Sequence, residues 1–405
     1  MTLPDGFLWG VSTSAFQNEG ALREDGRVPS VWDAFPVAGG DTAEVACDHY
    51  HRHAEDVALL RELGVGAYRF SVAWPRAAQL GFYDRLVDSL LDAGIAPVAT
   101  LYHWDTPLAV EQQGGWLDRD TAHRFAEYAS VVGDLLADRV ALWIPVNEPA
   151  MVTLQGYGTG EHAPGRTLLY DALPVAHHLN LAHGLAVRAL RAAGARAVGT
   201  ANNHTPAWPA GPDDVEAAAA YSALHNHLFA DPLLRGDYPA ELSDRLPLVD
   251  GDLAITSEPL DFYGVNYYNP TRLRAPSEGN PLPFELVDIT EYPRTDFGWP
   301  VVPSGLGEVV ADLRDRYPDL PPVYVTESGC SCADLDDQDR IAYLDGHIAA
   351  AEQAGARGFF TWTLMDNFEW EAGYSQRFGL VHVDHATQRR TPRSSFAWYR
   401  DRIRR

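Results

Sequence analysis

Eight short apolar runs, rich in β-branched residues, recur along the chain at Phe7–Gly10, Ala67–Ser71, Ala96–Leu101, Leu142–Val146, Ala197–Ala201, Phe262–Val265, Val323–Thr326 and Gly358–Trp362. Between them, apolar positions return at helical spacing in stretches such as His53–Leu63, Tyr83–Ala93, Arg119–Leu136, Ala172–Ala193 and Arg340–Ala354. A strand that is apolar on both faces belongs in a parallel sheet covered on both sides. Strands alternating with helices predict βα units, and eight such units predict a closed (β/α)8 TIM barrel. An open doubly wound sheet is the rival architecture, but no GxGxxG loop follows the first run. The segment from Asn269 to Pro303 is rich in Pro, Gly and Asn. It is too long for a mere connection and is expected to be functional. No stretch looks like an interdomain linker, so residues 1–405 are read as one barrel domain rather than the two or three that length alone would suggest.

Composition narrows the function. The chain has 405 residues, 46% of them hydrophobic, enough for a substantial core. Its 31 basic and 56 acidic residues leave a net charge of −25. Such a surface argues against nucleic acid or anionic membrane as partners. Every basic residue is arginine. Without a lysine there is no Schiff-base amine, no pyridoxal phosphate anchor and no Walker A lysine. Three cysteines, Cys47, Cys330 and Cys332, make no disulfide framework. With no basic n-region at Met1–Gly10 and no run of about 18 apolar residues, a soluble, cytoplasmic protein is expected. No feature of the sequence sets an oligomeric state.

In a barrel of this kind, chemistry sits at the C-terminal ends of the strands. The first strand leads to Gln17 and Glu19, and the second ends near Arg69. The third ends with His103, Trp104 and Asp105, the fourth with Asn147 and Glu148, and the fifth with Asn202 and Asn203. Asn266, Tyr267 and Tyr268 follow the sixth, Glu327 closes the seventh, and Trp362 closes the eighth, before Asp366, Glu369 and Trp370. Amides and carboxylates bind hydroxyls, and flat indoles cover sugar C–H faces, so this rim suits a neutral polyol. Two carboxylates on facing strands, Glu148 and Glu327, are what glycosidic cleavage requires, one protonated and one ionised. Pro149 keeps Glu148 out of a helix, and Arg69 is the cation placed to keep a carboxylate ionised.

These residues resemble glycoside hydrolase family 1, the β-glucosidases and their relatives, nearly end to end. The resemblance runs through Phe7-Leu8-Trp9-Gly10, Gln17-Asn18-Glu19-Gly20, Cys47-Asp48-His49-Tyr50-His51-Arg52, Tyr68-Arg69-Phe70-Ser71 and Trp74-Pro75-Arg76. It continues through His103-Trp104-Asp105, Asn147-Glu148-Pro149, Gly156-Tyr157-Gly158, His162-Ala163-Pro164-Gly165 and Asp261 to Tyr268. Val325-Thr326-Glu327, Asp366-Asn367-Phe368-Glu369-Trp370 and Arg377-Phe378-Gly379 complete it. The resemblance implies a retaining exo-acting β-glycosidase, most nearly a β-glucosidase, acting on a small-molecule β-glycoside without metal or organic cofactor. It implies Glu148 as acid/base and Glu327 as nucleophile. Asn147 is implied as partner of the sugar 2-hydroxyl, with Arg69 and Tyr268 orienting the nucleophile and Asn266 beside them. Gln17, His103, Trp104, Glu369, Trp370 and Phe378 are implied as the glycone pocket, Trp362 as its aromatic floor and Trp299 as the aglycone platform.

Departures from the family pattern are local. Ser328 stands where Asn is usual, and Ala150 where Trp is common, which is expected to open space near the aglycone. The loop after Trp74-Pro75-Arg76 and the segment after Glu327 are short, so a trimmed member with a more open aglycone mouth is expected. With no lysine, a phosphosugar substrate is disfavoured. His49, His51 and His53 are expected to cap and pack rather than bind metal, and Cys330-Ser331-Cys332 to be a loop variation. The arginines at 400, 402, 404 and 405 are expected to be a solvated helix end. A transglycosylating or natural-product-specific β-glycosidase keeps the same residues, and a non-catalytic sugar-binding protein of this fold is the alternative from another class.

Overall fold

The computed structural model describes residues 6–405. Eight parallel strands make one sheet: β1 (Leu8–Ser12), β2 (Ala67–Ser71), β3 (Ala96–Tyr102), β4 (Leu142–Val146), β5 (Gly199–Asn203), β6 (Phe262–Asn266), β7 (Val323–Ser328) and β8 (Gly358–Trp362). Their lateral order is β4-β3-β2-β1-β8-β7-β6-β5. Parallel bridges Trp143–Val198 and Asn147–Ala201 join the two ends. At that seam the Trp143 N–H donates to the Ala197 carbonyl (3.0 Å) and the Glu148 N–H to the Ala201 carbonyl (2.8 Å). The sheet is therefore a closed barrel. Each apolar run becomes a strand, with ends displaced by no more than two residues.

Helices α1 (His49–Leu63), α2 (Gly81–Asp92), α3 (Asp120–Leu136) and α4 (Leu173–Ala192) follow the first four strands. The fifth is followed by shorter pieces, Val215–Ser222 and Leu228–Leu234, joined through a π-turn at Ala223–His227. Helices α5 (Pro303–Arg316), α6 (Gln338–Gln353) and α7 (Ser394–Ile403) follow the last three strands. The segment from Asn269 to Pro303 is not wholly irregular. Thr271–Arg274 pairs antiparallel with Glu285–Val287 and parallel with Ala207–Pro209, a small sheet at the rim.

Side chains from successive strands fill the barrel. Leu8, Ala67, Ala96, Val98, Leu142, Ile144, Ala201, Phe262 and Phe360 form one apolar plug, with Tyr324 packed against it. A strand returns to the same face every second residue. Arg69 therefore lies above Ala67 on the inner face, and Thr100 above Val98. This is how an apolar floor supports a polar upper layer. Outside the barrel, Asp366 and Arg393 are fully buried and paired through two bonds of 2.9 and 3.0 Å, which fastens the loop after β8 to the start of α7.

The minor motifs settle into structural roles. His49 pairs with Asp56 (2.7 Å), and His51 with Asp48 (2.6 Å) and Glu24 (3.0 Å). Cys330 and Cys332 are buried free thiols. Arg402 pairs with Glu352 (2.8 Å) and lies over the Trp9 ring, so the arginine-rich end is docked in part. Ala150 is 2% exposed, packs in the apolar cluster of Leu173 and Ala176, and is not itself among the residues lining the cleft.

Candidate active site

Arg69 is the hub of the polar layer. It is fully buried, and its Nε donates to Thr100 Oγ1 (3.0 Å). One Nη donates to the Thr326 carbonyl (3.1 Å) and to Glu327 Oε1 (2.5 Å), and the other to Asn147 Oδ1 (2.5 Å). Asn266 Nδ2 donates to Asn147 Oδ1 (3.1 Å) and to Glu148 Oε1 (2.7 Å). A continuous set of hydrogen bonds thus runs from Glu327 through Arg69, Asn147 and Asn266 to Glu148. Thr326 Oγ1 donates to Asn266 Oδ1 (2.6 Å), which fixes the amide so that its nitrogen faces the carboxylate.

Local backbone geometry aims both carboxylates. Glu148 adopts a left-handed conformation (φ +45°) as the residue before a one-turn helix that opens on Pro149. Trp104 (φ +74°) and Trp370 (φ +47°) share that sparsely populated region. Such strain in non-glycine residues gathers at functional sites and is held there by surrounding structure. Glu327 lies in β7 where the pairing shifts register against both neighbours, a bulge that re-aims a side chain. Gly329 follows because a Cβ there would stand 1.9 Å from the Trp362 carbonyl. Ser328 Oγ meets the Tyr343 hydroxyl (3.2 Å), so this substitution keeps a buried polar partner.

Charge distinguishes the two carboxyl groups. Burial, and then the charge of Glu327, push the Glu148 carboxyl up to about 8. Burial also raises Glu327, but the Arg69 guanidinium and the Tyr268 hydroxyl, which donates to Oε2 (2.9 Å), pull it back. Glu148 has only amide donors, Asn266 and Asn203 (3.3 Å). Both carboxyls are thus raised by burial, but only Glu327 has a direct cation pulling it back.

A cleft of 350 Å³ opens above this layer, lined by Glu148, Glu327, Tyr268, His103, Trp104, Trp299, Trp362, Glu369, Trp370 and Phe378 among others. Arg69, Asn147 and Asn266 lie beneath it, each fully buried. Gln17 is also fully buried. Its amide donates to the Phe368 carbonyl (2.9 Å) and to Glu369 Oε2 (3.2 Å), which places it behind Glu369. Burial, and then the neighbouring Glu371 and Glu327, hold the Glu369 carboxyl well above the usual carboxylate range. His103 stacks on Trp362 and Trp370, and burial holds it neutral. Its Nε2 faces the Asn147 amide donor (3.2 Å), so Nδ1 carries the proton. That Nδ1 is buried without a partner among the described residues, as suits a donor for a hydroxyl in the cleft.

Other residues join the site without having been given a role from the sequence. Asn203 reaches Glu148, and His225 Nε2 meets Asn203 Oδ1 (2.9 Å). Asn203 was readable as a strand-end amide. His225 comes from the π-turn at Ala223–His227, where helical periodicity gives no signal. Gln155 arrives on the π-helical turn Val152–Thr159, Glu371 on the short helical turn Trp370–Ala372, and His162 and Phe297 on rim loops.

The family model for glycosyl hydrolase family 1 matches residues 1–405. A bifunctional β-D-glucosidase/β-D-fucosidase of Bifidobacterium breve is 42% identical over 453 aligned positions, covering 99% of this chain and 98% of its own. Those positions outnumber the 405 residues of this chain, as expected for shortened loops. A β-glucosidase of Agrobacterium sp. is 43% identical, covering 98% of this chain and 94% of its own. The crystal structure of the psychrophilic β-glucosidase BglU from Micrococcus antarcticus superposes with a TM-score of 0.94 at 42% identity, covering 100% of this chain and 98% of that one. With sequence and fold in agreement from end to end, the chain belongs to glycosyl hydrolase family 1 and is a glycoside hydrolase.

Proposed function

We propose that the protein releases the terminal β-D-glucosyl residue of small β-glucosides with retention of configuration, with Glu148 as acid/base and Glu327 as nucleophile. The observation that carries this reading is the pair of buried carboxyls in one cleft, one raised to about 8 and the other bonded to Arg69. In the first half-reaction Glu327 attacks the anomeric carbon while Glu148 protonates the departing oxygen, and the aglycone leaves as an alcohol. The product is a glycosyl ester on Glu327. Esterification removes the charge that helped raise Glu148, so its anion becomes the better base. Glu148 then takes a proton from water, whose oxygen attacks the anomeric carbon and frees Glu327. The sugar leaves in its original β configuration, and Glu148 is again protonated.

The surrounding residues contribute position and charge. Acid–base assistance supplies about 10²–10⁴-fold. Fixed dipoles and the Arg69 cation supply further stabilisation without reorganisation. Asn147 is assigned to the sugar 2-hydroxyl, and Gln17, His103, Trp104, Glu369, Trp370 and Phe378 to the remainder of the glycone, with Trp362 beneath it. Trp299, stacked on Phe297 at 4.6 Å, is assigned to the aglycone. Residues 1–405 are proposed to act as a single catalytic unit in the cytoplasm. No helix among the described residues is long and apolar enough to cross a membrane.

The test is aryl-glycoside release from β-glucoside, β-galactoside, β-fucoside and β-glucuronide, with Glu327→Gln alongside. Glucoside turnover that the variant loses supports the reading. Turnover retained by the variant, or none of any member by the native protein, overturns it.

A further inference from the structure

A second hollow of 540 Å³ adjoins the catalytic cleft. Its walls come from four places: the π-helical turn Val152–Thr159, the turn Leu169–Ala172 with the start of α4, the π-turn Ala223–His227 and the rim strand Glu285–Val287 with the loop before it. The lining is dominated by Leu154, Leu173, Leu224, Leu282, Phe284 and Leu286. Four further side chains, Met151, Gln155, Tyr221 and His225, line both this hollow and the cleft, so the two spaces meet across them. The apolar lining continues to the mouth, where Leu286 is 68% and Leu169 40% exposed. Contiguous apolar surface left open to water in a concavity marks a binding site.

The position of the hollow says which part of a substrate reaches it. The π-helical turn that walls it begins one short helix after Glu148. Glu148 is the residue assigned to protonate the departing oxygen, so the aglycone leaves on this side. The chemistry of the wall says what kind of aglycone is favoured. No arginine lines the hollow, and burial pushes His225, the histidine in its wall, down to about 4, so it stays neutral. The carboxylates there are Glu161 and Glu285, and Arg274 already holds Glu285 at 2.7 Å. Among the described residues an anionic group meets no cation in this lining, and an apolar one buries surface.

Resting on the β-glucosidase reading above, we propose that this hollow is an aglycone chamber for an extended, uncharged apolar group, such as a long alkyl or isoprenoid alcohol. The chamber continues the catalytic cleft past Met151, Gln155, Tyr221 and His225. Each buried methylene should raise kcat/KM by about fourfold, the equivalent of ~0.8 kcal/mol. The rise should be carried by KM, because the tail is bound equally in ground and transition states.

The experiment compares methyl, butyl and octyl β-D-glucosides on the native enzyme, Leu286→Glu and Leu282→Asn. Leu286 is exposed, so its replacement is compatible with folding. The expected result is an octyl-to-methyl ratio of kcat/KM of at least about fiftyfold, equivalent to three buried methylenes, reduced about tenfold in both variants. A flat series, with p-nitrophenyl β-glucoside turned over, overturns the chamber and leaves the β-glucosidase reading standing. So does a steep series that neither variant changes. A change of oligomeric state in Leu286→Glu with the series intact assigns the surface to a second copy of the chain and also overturns the proposal. If no glucoside is turned over, the β-glucosidase reading fails, and calorimetric titration of Glu327→Gln still decides the chamber. Octyl glucoside binding no tighter than methyl glucoside overturns it.

Discussion

Replacing Tyr268 with Phe isolates one hydrogen bond to the assigned nucleophile. The hydroxyl donates to Glu327 Oε2 at 2.9 Å. The ring stands edge-on to Trp299 at 5.5 Å, a contact that Phe preserves. A hydrogen bond to a charged group is worth about 1.5–3 kcal/mol, and one pKa unit corresponds to about 1.36 kcal/mol. Because the bond favours the ionised carboxylate, its loss raises the Glu327 pKa by about one to two units. Catalysis needs Glu327 ionised, so activity on the acidic side falls and that limb moves to higher pH by the same amount. The alkaline limb, set by protonated Glu148, stays near 8. The active window therefore narrows from below. The assay is kcat/KM for an aryl β-glucoside across the pH range, with native enzyme and variant compared. An acidic limb that stays within about 0.3 unit of native would refute the assigned role of Tyr268.

Other outcomes follow from the same geometry. The native kcat/KM profile should be bell-shaped, its alkaline limb falling as pH rises through about 8 because Glu148 loses its proton there; a profile flat on that side contradicts the assignment. In Glu327→Gln the Glu148 pKa should drop, since a like charge is removed, yet stay above the ordinary carboxylate value because burial, its larger cause, persists; carbon-13 NMR titration of Glu148 measures this. Glu148→Gln should retain glycosylation by substrates with good leaving groups but hydrolyse the ester slowly, and azide, which needs no general base, should restore turnover as glycosyl azide. Asp366→Ala leaves fully buried Arg393 without its carboxylate partner and should cost about 3–5 kcal/mol in urea unfolding; a loss below about 1 kcal/mol would show that the pair is not needed.

The barrel was legible because its strands are buried on both faces, so each reads as an apolar run. The bounds of β1 moved to Leu8–Ser12 because its pairing with β8 extends to Trp362. The region between β5 and β6 was harder to read. A π-turn and Pro232 interrupt its helices, and the helical period fades with them. Glu148, Glu327, Arg69 and Asn147 could be found at strand ends, where the barrel collects chemistry. His225 and Gln155 could not, because turns and loops bring them to the cleft from unpatterned sequence. Gln17 was found but sits behind Glu369, a depth that spacing does not encode. Ala150 is enclosed in the apolar cluster of Leu173 and Ala176, a neighbourhood that its place after Pro149 does not encode.

Trapping the intermediate tests the central claim most directly. An activated 2-deoxy-2-fluoro-β-glucoside forms the glycosyl ester faster than water can remove it. Intact-mass spectrometry followed by peptide mapping then locates the attached sugar. The account predicts a single fluoroglucosyl adduct on Glu327, with activity lost in proportion to labelling. An adduct on any other residue, or inactivation with no covalent adduct, would contradict the assignment of Glu327 as the nucleophile.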